Sequence, residues 1–391
     1  MSGSATARPA APRAGRSLLK PPVGRRSGTF VGLFVVVVLL CVLGLVMVLT
    51  SSVVTSIDSA GSAFHHARRQ ALWLGLGLVA CVVTMRVDYH RWRARFFTGG
   101  AVLATTGALA FLLVPSPLVV TANGSSRWIR VGGFAVQPSE AAKLALVLFA
   151  ASLLSRRFDD LANIRRVLLP LAVVFGTMSA FILAQPSLGT VVLLAGIVLV
   201  VLFVAGLPGR QLAGILTLGA GTTILFTFLF GYRRQRLFSF FDPWSDPYGI
   251  GYQAVQAQVG IASGGLTGLG PGGGRASLAF LPFAHTDFIY VIIAEELGLL
   301  GGGLVILAFF CLGVLGIRAV RDAPDPYGAF LAAGITGWFV LQAFINIAVA
   351  QGLLPTMGVT LPFISYGGSS LVVNLAAAGI LMNVARQGRS R

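Results

Sequence analysis

The sequence has few charged residues. They make up 10% of the 391 residues, and only 12 of them are acidic, whereas about 25% of a soluble domain is charged. Hydrophobic residues make up 56% of the chain, and the mean hydropathy is +0.86. A soluble fold of this size could not bury so much apolar surface. The low charge therefore excludes a soluble protein and indicates a protein that resides in a membrane.

Cysteine and histidine are also scarce. The three cysteines, Cys41, Cys81 and Cys311, lie inside apolar runs and form no disulfide or metal-ligand pattern. We expect them to be small buried apolar side chains. The adjacent pair His65 and His66 has no third ligand nearby in the sequence, so we expect it to lie at a membrane interface. The sequence predicts no dedicated metal site.

The net charge of +17 might suggest a nucleic-acid partner, but the distribution of the charge argues against one. Arginines occur in the N-terminal tail and at the ends of apolar runs, where basic residues act as topology signals. We therefore expect membrane lipid rather than nucleic acid around this chain.

The apolar residues form long runs close to the ~20 residues that cross a bilayer as a helix. The runs are continuous rather than alternating, and a spanning backbone must satisfy its own hydrogen bonds, so helices are expected. The predicted fold is an all-α polytopic membrane protein with about ten transmembrane helices. The predicted spans are residues 29–50, 70–86, 96–114, 139–155, 167–184, 188–206, 211–231, 286–317, 328–350 and 369–385.

Three regions are predicted along the chain. Residues 1–28 are rich in Ala, Pro, Gly and Arg, which predicts a disordered basic cytoplasmic tail. Residues 29–385 form the membrane domain, and residues 386–391 form a cytoplasmic C-terminal tail. With both termini in the cytoplasm, the cytoplasmic segments hold 20 of the 29 lysines and arginines and the outer loops hold 8. This excess follows the positive-inside rule.

Two of the predicted outer segments are long, and such loops often carry function. Residues 232–285 include an amphipathic stretch, 252–261, and a glycine-rich part, 264–274. Residues 352–368 contain two prolines and end in two glycines. Apolar residues in both segments suggest loops that lie against the membrane face.

Several motifs in register resemble the FtsW/RodA (SEDS) family. They are SSRWIR at 125–130, QPSEAAK at 137–143, FDPWSDPY at 241–248, LPFAHTDFI at 281–289, EELG at 295–298 and GLLPTMGVTLPFISYGGSS at 352–370. The resemblance covers roughly residues 30–385 and includes the family's ten-span SEDS fold. It is closer to the FtsW branch, which acts in division, than to the RodA branch, which acts in elongation.

The resemblance implies a peptidoglycan glycosyltransferase that polymerises lipid II for septal wall synthesis in cell division. The active site would face outward from the bacterial cytoplasmic membrane. A saccharide 4-hydroxyl attacks the anomeric carbon of a second lipid II, the configuration inverts, and undecaprenyl pyrophosphate leaves. The resemblance also implies a class B penicillin-binding protein and other divisome proteins as partners.

Asp287 is the predicted general base. It lies in an His-Thr-Asp motif at the outer end of a span, where a carboxylate can accept the hydroxyl proton, and it matches the aspartate that the family is thought to use. The alternative is a helix N-cap or first-turn acid. His285 is expected to orient Asp287 or to cap the loop.

Arginines suit the pyrophosphate because their planar fork donates two parallel hydrogen bonds. We predict substrate binding by Arg127, Arg130 and Arg275, with Arg233, Arg234 and Arg236 as further outer candidates. The alternative for these arginines is anchoring to anionic lipid headgroups. The resemblance adds His285 and Ser369 to the substrate-binding residues. A divalent cation, Mg or Mn, could also neutralise the leaving group, and the sequence leaves this open.

Lys143 lies inside a predicted span, where charges are rare and usually paired. Glu140 lies three residues earlier on the same helical face, and Glu295 and Glu296 lie deeper in their span than Asp287. We expect Lys143 to pair with Glu140 or with one of these two glutamates. Such a pair would either fix helix packing or take part in function.

Two positions depart from the family pattern. Ser187 stands where the family usually has an aspartate, and Phe283 stands where it often has an acid. These departures are compatible with a specialised or weakly active paralogue. The alternative functions are a lipid II flippase and a non-catalytic division scaffold. A flippase would be expected to contain inverted repeats, and the sequence contains no clear internal repeat.

Overall fold

The structure is a computed structural model that describes residues 27–122, 125–161, 163–276 and 281–388. The predicted N-terminal tail, 1–28, therefore lies outside the described residues except for Ser27 and Gly28. Ser27 caps the first helix by accepting a hydrogen bond from the Phe30 amide. The predicted C-terminal tail begins inside the last helix, and residues 389–391 lie outside the described ranges.

The described residues of the first half of the chain form eight α-helices and three strands. These are α1 (Gly28–Ser51), α2 (Val53–Ala60), α3 (His65–Arg86), α4 (Arg95–Phe111), β1 (Val119–Ala122), β2 (Ser125–Val131), β3 (Phe134–Val136), α5 (Pro138–Arg156), α6 (Leu169–Ala184), α7 (Leu188–Val204) and α8 (Gly209–Leu229). A wide helical turn, Ile164–Leu168, leads directly into α6.

The second half contains α9 (Gly231–Phe241), α10 (Tyr252–Gly264), α11 (Ile289–Asp322), α12 (Pro326–Ala350) and α13 (Gly368–Gln387). The ten predicted spans correspond to α1, α3 to α8 and α11 to α13. Among the described residues, seven helices are long and apolar enough to cross a membrane, namely α1, α5, α6 with its preceding turn, α8, α11, α12 and α13. Helix α7 is apolar but shorter, and α3 and α4 do not meet the combined criterion of length and hydropathy.

The sequence analysis did not predict the small antiparallel sheet between α4 and α5. Its strand order is β1-β2-β3, and β2 pairs with both neighbours. The sheet contains the SSRWIR motif, so Arg127 and Arg130 lie on β2. The register of β2 against β1 shifts at Arg127, which is half-buried, whereas Arg130 is exposed. The sheet therefore gives different surroundings to two arginines that the sequence analysis had grouped together.

The most buried helices form the centre of the bundle. They are α5, α12 and α13, whereas α8 has no buried residues and lies at the edge. Close packing of α3 on α13 depends on glycine, since a Cβ added to Gly379 would lie 2.4 Å from the Cys81 carbonyl oxygen. In a bilayer the hydrophobic effect does not drive helices together, so their association depends on close packing. Small residues such as glycine allow the two backbones to approach closely enough for it.

Helix α11 is broken rather than straight. Gly298 has φ 67° and ψ −166°, a conformation open to glycine. The glycine-rich part of the 232–285 segment fills the break: Leu269 and Gly270 donate to the carbonyls of Glu295 and Glu296 at 3.0 Å each. Irregular backbone at membrane depth is tolerated only when it is buried in protein. We expected this segment to lie against the membrane face, and that expectation was wrong for the part that inserts into α11.

Candidate active site

Asp287 lies in the short turn that precedes α11. Its amide and the amide of Thr286 both donate to the Phe283 carbonyl at 3.0 Å. Phe283 has φ 59°, is 48% exposed, and places this turn in a strained conformation of a kind that concentrates at functional sites. The N-cap position of α11 is Phe288, and no side chain caps the helix. The span starts at Ile289, three residues after the predicted start, and the alternative role of Asp287 as a helix N-cap or first-turn acid was wrong.

The loop 352–366 packs against the Asp287 turn. Tyr366 donates its amide hydrogen to the His285 carbonyl at 2.9 Å, and the Ser365 hydroxyl donates to the Thr286 carbonyl. Gly358 has φ 64°, and a Cβ there would stand 3.6 Å from Asp287 Oδ2. The absence of a side chain at Gly358 leaves space in front of the carboxylate.

Two arginines from separate elements act on the Asp287 carboxylate. Burial raises the pKa of Asp287 to about 6, although the positive charges of Arg127 and Arg236 act to lower it. Arg127 also donates to the carbonyls of Gln185 and Pro186 at 3.0 Å each, and Arg236 donates to the Thr356 carbonyl at 3.4 Å. An aspartate with a raised pKa beside two guanidinium groups can accept a proton while an anion binds nearby.

The structure does not bring Arg130 or Arg275 to this carboxylate. Arg130 is exposed on β2, and Arg275 is exposed in the glycine-rich segment. The amide of Arg275 donates to Glu295 Oε1 at 2.8 Å. Arg233 and Arg234 lie on α9 with Arg236. The sequence analysis ranked Arg236 below Arg130 and Arg275, because a sequence does not show which arginines lie near Asp287.

His285 lies in a cluster of three aromatic rings. The ring centroids of His285, His66 and Tyr366 lie 5.1 to 5.6 Å apart. Burial, together with repulsion from His66, lowers the pKa of His285 to about 4, so its imidazole is neutral at pH 7. The sequence analysis placed His66 at an interface and missed this contact, because the two histidines are 219 positions apart in the chain. The cluster joins the start of α3 to the Asp287 turn.

The buried lysine pairs with Glu140. Lys143 Nζ lies 2.7 Å from Glu140 Oε2 and donates to Gln342 Oε1 at 2.9 Å. It also lies 5.0 Å from the centre of the Trp338 ring. Of the three partners that we considered, the structure therefore selects the one on the same helix.

The two glutamates of α11 have different surroundings. Glu295 accepts hydrogen bonds from the amides of Arg275 and Ala276 at 2.8 and 3.0 Å, and from Ser263 at 3.3 Å. Glu296 is 0% exposed, and the Gly272 backbone and the Thr50 side chain act on its carboxyl without forming a close, well-aligned hydrogen bond. Glu295 thus makes the close carboxylate hydrogen bonds that anchor the glycine-rich segment.

Ser369, a predicted substrate-binding residue, and Ser187, which departs from the family pattern, both make contacts within the protein. The Ser369 hydroxyl accepts a hydrogen bond from the Gln137 amide at 3.1 Å, which joins the start of α13 to the start of α5. The hydroxyls of Ser187 and Thr190 lie 2.9 Å apart at the start of α7. Where the family usually has an aspartate, this chain therefore has a local serine contact, and Glu140 supplies the charge that balances Lys143.

The described residues contain no group of three or more His, Cys, Asp or Glu side chains that could hold a metal ion. Near Asp287, positive charge comes from arginine instead. The structure also has an apolar groove of about 520 Å³ between α1 and α3. It is lined by Leu45, Val46, Leu49, Phe64, Ala67, Arg68 and Ala71.

Comparisons with known proteins agree with this architecture. The family model for FtsW, RodA and SpoVE, described as "Cell cycle protein", matches residues 31–390. "Stage V sporulation protein E" of Bacillus subtilis is 40% identical over 361 residues, which cover 91% of this chain and 97% of that protein. "Probable peptidoglycan glycosyltransferase FtsW" of Geobacter metallireducens is 39% identical over 355 residues, which cover 90% of this chain and 93% of that protein.

Solved structures are similar as well. A chain of the structure described as "Structural coordination of polymerization and crosslinking by a peptidoglycan synthase complex" is 30% identical, with a TM-score of 0.75, and the match covers 92% of this chain and 98% of that one. RodA of Thermus thermophilus is 27% identical, with a TM-score of 0.65, over 92% of this chain and 97% of that one. The chain belongs to the FtsW/RodA/SpoVE family of multi-pass membrane proteins.

Proposed function

We propose that this protein is a peptidoglycan glycosyltransferase that polymerises lipid II in septal wall synthesis, with Asp287 as its general base. The observation that carries the proposal is a partly buried carboxylate of raised pKa that faces Gly358 and lies near two arginines. Relatives named as probable peptidoglycan glycosyltransferases, at 38 to 40% identity over most of the chain, support the same activity.

The proposed reaction joins two lipid-linked saccharides. The 4-hydroxyl oxygen of one saccharide attacks the anomeric carbon of the other, and its proton passes to the Asp287 carboxylate. The bond between the anomeric carbon and the pyrophosphate oxygen breaks, so that carbon inverts and undecaprenyl pyrophosphate leaves. A base whose pKa is near 6 is ionised at neutral pH and is more basic than an ordinary aspartate.

Arg127 and Arg236 are the proposed partners of the leaving pyrophosphate. Both guanidinium groups are held by backbone carbonyls, so their positions are set before substrate arrives. Donors that are already oriented toward developing negative charge lower the barrier without reorganising. Arg130, Arg275, His285 and Ser369 remain proposed substrate contacts. A divalent cation, Mg or Mn, would contribute further positive charge at the leaving group.

The proposed location is the bacterial cytoplasmic membrane, with Asp287 on the outer side. The excess of lysine and arginine in the alternate loops supports this orientation. The groove between α1 and α3 offers an apolar surface of the kind that the tail of a lipid-linked substrate requires. A class B penicillin-binding protein and other divisome proteins are the proposed partners, since a similar chain comes from a complex that couples polymerisation and crosslinking.

The test is polymerisation of labelled lipid II by purified protein in detergent, alone and with a cognate class B penicillin-binding protein. We expect glycan polymer from the wild type and none from Asp287→Ala. Asp58→Ala is the matched control, because Asp58 is an exposed acid on α2. Polymer from Asp287→Ala would refute the role of Asp287.

The same preparation separates the other two functions. Movement of lipid II across liposomes without polymer would favour a flippase. Absence of both activities, with binding of a division partner retained, would favour a scaffold. The pairing of Lys143 with Glu140 inside the protein weighs against a charged transport path through that position.

A further inference from the structure

Asn346 on α12 joins the two loops of the candidate active site. Its amide nitrogen Nδ2 donates to the Asp287 carbonyl oxygen and to the Val359 carbonyl oxygen, both at 2.7 Å. Asn346 is 2% exposed, so both bonds lie inside the protein. One side chain therefore uses both of its amide hydrogens to hold the two loops together.

The chemistry of the neighbours fixes which end of this amide faces the loops. Both neighbours are carbonyl oxygens, which only accept hydrogen bonds, so the NH₂ end must point toward them. The Oδ1 atom has no hydrogen-bond partner among the described residues. A buried acceptor without a partner destabilises the fold, which indicates that the residue is present for its two donors.

Gln342, one turn earlier on α12, holds the neighbouring residue of the same loop. Its Nε2 donates to the Thr360 carbonyl at 2.8 Å, and its Oε1 accepts from Lys143 and from the Trp338 indole. Gln342 does not contact the Asp287 turn directly. Asn346 thus differs from Gln342 because it also holds the backbone of Asp287.

We propose that Asn346 is a positioning residue, which fixes the distance and direction between Asp287 and the 356–360 backbone. This keeps the carboxylate facing the open space at Gly358, where a sugar hydroxyl would lie. The inference rests on the proposed function, because it assigns a role in that reaction. A displacement of about 1 Å in such a site can cost about 10²-fold in rate. The two hydrogen bonds of Asn346, which we call the Asn346 clamp, should therefore act on kcat rather than on substrate binding.

The first experiment needs no activity. Hydrogen–deuterium exchange is measured on purified wild type, on Asn346→Leu, which has no hydrogen-bonding atoms in its side chain, and on Thr336→Val. Thr336 is the matched control because it is a buried residue of α12 whose hydroxyl has no partner among the described residues. We expect faster exchange in residues 281–288 and 355–366 of Asn346→Leu only. Unchanged exchange in both loops would overturn the clamp, whether or not the protein polymerises lipid II.

The second experiment measures lipid II polymerisation by the same variants and by Asn346→Ser, whose hydroxyl can donate only one hydrogen bond. We expect kcat to fall at least about tenfold in Asn346→Leu and less in Asn346→Ser, with KM within about twofold of wild type. The charged groups that act on Asp287 are Arg127 of β2 and Arg236 of α9. Both arginines remain in these variants, so exposing the turn to water should remove part of the burial that raises the pKa of Asp287. The pKa should then fall, and the acid limb of the pH profile should move to lower pH.

The results separate the two proposals. An inactive wild type would refute the proposed function, while the exchange data would still decide whether the clamp exists. An active wild type together with unchanged kcat and pH profile in both Asn346 variants would overturn the positioning role alone. Thermal unfolding of each variant identifies a loss of activity that comes from misfolding, and Asn346→Ser then provides the milder comparison.

Discussion

Lys143 donates a 2.7 Å hydrogen bond to Glu140, and the two side chains are almost completely enclosed between α5 and α12. Removing one partner would leave an uncompensated buried charge. We therefore expect Glu140→Gln or Lys143→Met alone to destabilise the protein by about 3–5 kcal/mol. The measurement is thermal unfolding in detergent. The double variant should recover much of the loss, and equal losses in single and double variants would contradict direct pairing.

The pH dependence of polymerisation should report Asp287. The carboxylate must be ionised to act as a base, so the rate should rise as pH increases through about 6. Arg236 lowers the pKa of Asp287, and its removal in Arg236→Met should raise that pKa and move the acid limb to higher pH. The measurement is kcat/KM against pH.

Arg130→Met is the matched control for this shift, because the charges that act on the Asp287 carboxylate are those of Arg127 and Arg236, and Arg130 lies three positions from Arg127 on β2. Its acid limb should remain in place. A limb that moves equally in both arginine variants would show that the assay does not report Asp287.

The adjacent acids of α11 should respond differently to the same substitution. Glu295→Gln weakens an anchor that accepts hydrogen bonds from the amides of Arg275 and Ala276. We expect a loss of about 1.5–3 kcal/mol and faster hydrogen exchange in residues 264–276. Glu296→Gln should have a smaller effect, since the Glu296 carboxyl interacts only weakly with the Gly272 backbone and the Thr50 side chain and makes no close hydrogen bond to the described residues. Equal effects would contradict the anchoring role of Glu295.

The break in α11 should require glycine at position 298. Gly298→Ala would place a Cβ at φ 67° and 2.4 Å from the Gly268 amide nitrogen and the Leu266 carbonyl oxygen. We expect a loss of at least about 1–3 kcal/mol, measured as a lower Tm. Gly303→Ala on the same helix meets nothing within 4 Å and should be neutral or stabilising by up to about 1 kcal/mol. A Gly298→Ala protein as stable as Gly303→Ala would contradict the structure of the break.

The sequence by itself determined that this is a helical membrane protein and roughly where its ten long apolar helices lie, but not the short helices α2, α9 and α10. Continuous apolar runs force helices in a bilayer, so no knowledge of packing was needed. It also determined the family, because several motifs occur in register over most of the chain. The same information located Asp287 and restricted the partners of Lys143 to three glutamates.

Only the tertiary structure decided which residues meet at the site. Arg236 faces Asp287 and Arg130 does not, His66 reaches His285, and Asn346 holds two loops, all through contacts between distant parts of the chain. The insertion of the glycine-rich segment into α11 is of the same kind, since its backbone hydrogen bonds depend on a neighbour and not on local pattern. Periodicity reports which residues avoid water, whereas site geometry depends on how separate helices pack.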